Sequence, residues 1–134
     1  MVSLHFPRGL PGFERHHQFT LAQAELPLAL IESADPDGPR FHAIPVAVVD
    51  PHYQIGITAE DLRLLGLDET RQPSEGILCL AILSFDEGAL TANLLAPVVV
   101  NLHNGVCVQA VRADARYSHR HRLGVAEREA VECL

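Results

Sequence analysis

The sequence predicts a small all-β domain, and three observations carry that expectation. Short apolar runs of strand length recur along the 134 residues, separated by clusters of Pro, Gly, Asp and Asn. Strands do not alternate with long helical patterns, so the layout that builds a parallel α/β sheet is missing. An Asn-Gly pair at Asn104 and Gly105 also sits between two apolar runs, the strongest short-range hairpin signal.

Taken in order, roughly seven strands are expected. They are Val2 to Phe6, Gln18 to Gln23, Leu28 to Ser33, Phe41 to Val49, Gly76 to Phe85, Leu90 to Leu102 in one or two pieces, and Val106 to Arg112. Pro45 and Pro97 interrupt two of these runs, which marks an edge, a start or a bulge, because proline cannot donate to a ladder. The segment ADPDGPR at 34 to 40 reads as a turn joining two antiparallel strands. TAEDLRLLG at 58 to 66 reads as one short helix, with Thr58 as N-cap, Glu60 and Asp61 in the first turn, Leu62 and Leu65 on one face, and Gly66 as the stop. A second candidate helix lies in the closing VAEREAVECL, where Val125, Val131 and Leu134 are suitably spaced. Residues 1–123 therefore form one domain, and 124–134 form a C-terminal tail.

The Asn-Gly pair predicts a type I′ turn, which needs positive φ at both central positions. That pairing sets His103 opposite Val106 and Leu102 opposite Cys107. It places Val100, Leu102, Cys107, Gln109 and Val111 on one face, and Val99, Asn101, His103, Val106, Val108 and Ala110 on the other. Both faces are largely apolar, so the hairpin is either covered on both sides or offers one face to a partner. In GLPGF, Gly9 and Gly12 are expected to shape a turn and Phe13 to enter the core.

Composition narrows the function classes. The formal charge of -7 argues against a primary nucleic-acid or anionic-membrane role, since phosphate binding draws on concentrated positive charge. All ten basic residues are arginine, and Arg112, Arg116, Arg120 and Arg122 make the one basic patch, together with His119 and His121. Cys79, Cys107 and Cys133 are odd in number and widely spaced, which fits a reducing cytoplasm better than a disulfide scaffold. No apolar run is long enough to span a bilayer.

No nucleophile elbow, P-loop, dinucleotide fingerprint or zincin motif is present, so no catalytic residue is nominated and no cofactor is expected. Histidine supplies the one alternative, a metal or metabolite site. His16 and His17 are adjacent, and His119 and His121 on an extended segment would share a side, with Asp114 or a distant histidine as a third ligand.

Three blocks give the chain a resemblance. GLPGFE at 9 to 14, DPHYQIGIT followed by DLRLLGL at 50 to 67, and TANLLAPVVVN at 91 to 101 resemble, in order and separation, the flagellar assembly factor FliW family across residues 6 to 123. The resemblance implies an antiparallel β-barrel-like domain that is not an enzyme. It further implies a cytoplasmic protein that binds flagellin and antagonises the translational regulator CsrA. A monomer is expected; because only eight residues precede Gly9, an oligomer completed by strand exchange is the alternative.

Two groups of residues are nominated for partner binding. In the first, polar Asn93 and Asn101 would fix orientation while Leu94, Pro97 and Val98 supply apolar contact; strand-end capping is the competing role for Thr91, Asn93 and Asn101. In the second, Arg116, Arg120 and Arg122 would pair with carboxylates on an acidic partner and Tyr117 would serve as an aromatic anchor.

Overall fold

The computed structural model describes residues 2–23, 27–112 and 116–123. Four strands pair in sequence order as an antiparallel meander: β1 (Val2–His5), β2 (Gln18–Gln23), β3 (Ala29–Ser33) and β4 (Arg40–Pro45). The Phe41 to Val49 run does not stay extended. It ends as a strand at Pro45, and Val46–Val49 turns into a one-turn helix, α1. Proline accounts for the break, since it supplies no ladder donor yet suits the residue just before a helix.

The ten-residue β5 (Ile77–Asp86) is the pivot of the fold. Its first half pairs with β7 (Val98–Asn101), its middle with β4, and its last four residues with β6 (Ala89–Ala92). Leu80 stands opposite Pro45 on one side and Val98 on the other. From β7 the chain returns as β8 (Cys107–Gln109), and a parallel bridge between His5 and Val106 brings β8 to β1. The circuit β1-β2-β3-β4-β5-β7-β8 thus nearly closes an antiparallel barrel. A two-residue strand, β9 (His121–Arg122), adds to β6 outside it.

The asparagine hairpin departs from expectation. Observed partners are Val99 with Val108 and Val100 with Cys107, so the pairing is shifted by two residues and residues 102–105 form the loop. Only Gly105 has positive φ there, at 76°. Its backbone lies so near the Ser3 carbonyl that a Cβ would come within 2.7 Å, which explains glycine at the point where β1 and β8 converge. The type I′ conditions are met instead between β5 and β6. Glu87 (φ 51°) and Gly88 (φ 78°) form the two-residue connection there, with Asp86 opposite Ala89. A shift of two residues preserves side-chain parity, so the predicted division of faces survives the change of register.

That parity produces two packed faces. One apolar cluster contains Leu4, Phe19, Ile31, Ala43, Leu80, Val98, Val100 and Cys107, one or more from every strand of the circuit, and is therefore the barrel interior. The alternate residues Ile44, Cys79, Ala81, Val99, Val108 and Ala110 point outward and are covered by Val46 of α1 and by Leu62, Leu65 and Leu123. The hairpin is buried on both sides.

Helix α2 (Ala59–Leu64) forms as its local sequence specifies. The Thr58 hydroxyl accepts from the Asp61 N–H at 3.1 Å, and Glu60 and Asp61 occupy the positive end of the helix. At the other end Gly66 adopts φ 78°, the Gly66 N–H donates to Arg63 and the Leu67 N–H to Leu62, which is a Schellman closure. One further carbonyl, that of Leu65, is satisfied from outside the helix. Phe13 does not enter the core: it is 39% exposed and packs edge-on against Phe41 at 5.7 Å between ring centroids. The tight approach of Gly9 to the Glu14 backbone folds the loop back before Phe13 can reach inward.

Candidate partner-binding site

Most of the TANLLAPVVVN block packs inside the fold. Leu94, Pro97, Val98 and Asn101 are all buried. The Asn101 side chain donates to the Leu65 carbonyl at 2.8 Å and accepts from the His103 N–H at 3.0 Å, while Asn104 donates to the same carbonyl at 3.1 Å. The two asparagines thus cap α2 and tie it to the hairpin loop. The half-buried Asn93 accepts from the Ala96 N–H at 3.0 Å, holding the turn between β6 and β7, and the Thr91 hydroxyl reaches the Ser84 carbonyl. Strand-end capping, the competing role for these polar residues, is the one the geometry supports.

The basic tail is clasped rather than free. The ring of Tyr117 lies 4.3 Å from that of Tyr53, and the Arg112 guanidinium sits 4.8 Å from the Tyr117 centroid. Arg112 donates to the Gln54 carbonyl, Arg116 donates to the Gln54 side chain, and the Tyr117 hydroxyl accepts from the Gln54 N–H at 3.0 Å. Tyr53 donates in turn to the Leu94 carbonyl at 2.7 Å; burial pushes its phenol up to about 12 against the opposing effect of Arg112. Tyr117 is therefore an internal anchor, and Arg122 is a member of β9. His119 lies in a turn and His121 in β9, so the extended segment that would align them does not exist, and Asp114 lies outside the described residues. Among the described residues no group of three or more His, Cys, Asp or Glu is placed to hold a metal ion.

Removing the clasp has a defined cost. Arg112→Ala is expected to lose about 1–2 kcal/mol, through its hydrogen bonding to Gln54 and its contacts with the two tyrosine rings. Urea unfolding checks the magnitude. Amide exchange should also rise at Leu123 and Leu94, whose N–H groups donate to Leu90 and Ser118 across the tail junction; unchanged exchange would mean that β9 holds without the clasp.

A surface of different character lies across the barrel mouth beside β8. A depression of about 620 Å³ has apolar residues Leu10, Phe41, Ile82, Phe85 and Val111 in its lining, with Ser84, Thr91, Asn93, Gln109, His119 and Arg120 as its polar members. Phe85 is 71% exposed and Val111 59%. Of the nominated residues, Asn93 and Arg120 come together here, while Leu94, Arg116 and Tyr117 line a separate depression with His52 and His121. Sequence reasoning missed Phe85, Val111 and Gln109. Phe85 could have been noticed as an apolar residue next to the turn-forming DEG, where a strand leaves the body of the sheet. No helix among the described residues is long and apolar enough to cross a membrane.

Comparison with known proteins gives a consistent picture. The family model described as FliW protein matches residues 2–123. The chain is 33% identical over 128 residues to the flagellar assembly factor FliW of Treponema pallidum (strain Nichols), covering 93% of this chain and 84% of that protein. It is 29% identical to the flagellar assembly factor FliW of Thermosipho africanus (strain TCF52B), covering 88% and 82%. A crystal structure of the flagellar assembly factor FliW superposes with a TM-score of 0.78 at 27% identity, covering 93% of this chain and 87% of the other.

Proposed function

Because this chain belongs to the FliW family of flagellar assembly factors, we propose that it acts by stoichiometric binding in the cytoplasm, holding flagellin and antagonising the translational regulator CsrA. Free flagellin would then set how much CsrA is left to act on flagellin synthesis. The observation that carries a binding role is the depression beside β8. Large apolar side chains are exposed around it, with amide, hydroxyl and cationic groups among them, the composition of a protein-contact patch. The charge of -7 favours protein partners over direct contact with RNA.

Calorimetry tests the reading. The protein is titrated separately with the flagellin and the CsrA of its own source, and micromolar or tighter binding is expected with each. Phe85→Ser should weaken at least one complex by about thirtyfold, the size of an aromatic hot spot worth about 2 kcal/mol. Absence of heat and of co-elution with both partners would overturn the proposal.

A further inference from the structure

The backbone of residues 107–111 has one paired edge and one open edge. Ala110 donates to the Pro97 carbonyl and Arg112 to the Leu95 carbonyl, each at 2.9 Å, and Asn101 donates to Val106. In an antiparallel ladder these hydrogen-bonding positions alternate, so Val108 and Ala110 face the β7 side while the N–H and C=O groups of Gln109 and Val111 point away from it. β1 meets this edge only at His5 opposite Val106, after which the chain leaves into the loop containing Pro11. Among the described residues nothing pairs with the backbone of Gln109 or Val111 on that side. The 620 Å³ depression and a second one of about 300 Å³ both adjoin this edge and share Pro11, Gln109 and Val111 in their linings.

We propose that this edge accepts one further β-strand, an extended peptide of a protein partner that carries a bulky apolar residue. The inference rests on the reading of this depression as the partner surface and names its mode of recognition. Backbone pairing to Gln109 and Val111 supplies the register. The apolar lining around Phe85 takes the bulky side chain. A second copy of this chain is the weaker occupant, because it brings the same charge of -7.

The probe is an acetylated peptide, Ser-Val-Thr-Phe-Thr-Val-Glu, added to the 15N-labelled full chain. Binding should slow amide exchange at Gln109 and Val111, with little change at Val108 and Ala110, which are already paired. Val111→Pro removes an outward N–H and spares the ladder, so it should fold normally, yet weaken the peptide by at least about tenfold. A peptide methylated at every backbone amide should fail to bind. No binding, binding without new protection at Gln109 and Val111, or full affinity in Val111→Pro would each overturn strand addition. So would protection that grows with protein concentration alone, which would assign the edge to self-association. If flagellin and CsrA bind Val111→Pro as well as the parent, the family function stands and the edge fails. If the peptide pairs while both proteins are ignored, the edge stands and the partner assignment fails.

Discussion

Phe19→Ala is expected to destabilise the fold by about 3–5 kcal/mol, the cost of emptying an aromatic site in a close-packed core. Phe19 is 1% exposed, stands between Leu4 of β1 and Ser33 of β3, and meets the Phe6 ring edge-on at 5.1 Å. Few positions let the barrel collapse into the space, since the lining comes from every strand of the circuit. A domain of this size holds only about 5–15 kcal/mol in total, so the variant should lose a substantial share of its stability and melt well below the parent. Phe13→Ala supplies the contrast. That ring is largely outside, and its loss should cost under about 1 kcal/mol. Urea denaturation of both variants decides the point, and equal losses would mean that the barrel interior has been misidentified.

The second large effect is loss of stability in alkali. Burial pushes the Cys107 thiol up to about 12 and the Cys79 thiol up to about 11, from an ordinary value of 9. The folded state therefore holds protons that the unfolded chain releases, so stability falls as pH rises. The contribution is complete below about pH 9 and is progressively lost until the folded-state values of about 11 and about 12 are passed. Between about pH 8 and about pH 10.5 the two thiols should account for a loss on the order of 3 kcal/mol, with Tyr53 adding in the same direction. Urea titrations in reducing buffer at those two pH values measure it. In the Cys79→Ala, Cys107→Ala double variant the baseline stability drops, but most of the pH dependence should vanish. A slope unchanged in that variant would move the cause to other groups.

Local chemistry determined a good deal of this molecule without any tertiary information. The α2 cap at Thr58 and its glycine stop involve groups only a few residues apart, and they form as written. The strand set was legible from period and turn composition. Burial of the hairpin on both sides was one of two readings of its doubly apolar pattern, and the division of faces held because a two-residue change of register leaves parity intact. The TANLLAPVVVN block identified the family, although most of its side chains are buried.

What the sequence could not decide depended on which distant segments meet. Asn101 reads equally well as a surface contact or a cap until the Leu65 carbonyl, 36 positions away, is seen to need a donor. The Asn-Gly signal matched a type I′ turn, but closure of the barrel against Ser3 and the demand of α2 for both asparagines opened the loop to four residues, and Glu87-Gly88 took the tighter turn. Tyr117 looked like an anchor for a partner and became one for the chain itself, because Tyr53 and Arg112 complete its stack. Exposure was equally hidden: Phe13 and Phe85 both stand beside glycine-containing turns, and both are exposed. Sequence spacing fixes which way a side chain points along its own element; only long-range pairing fixes what, if anything, stands opposite.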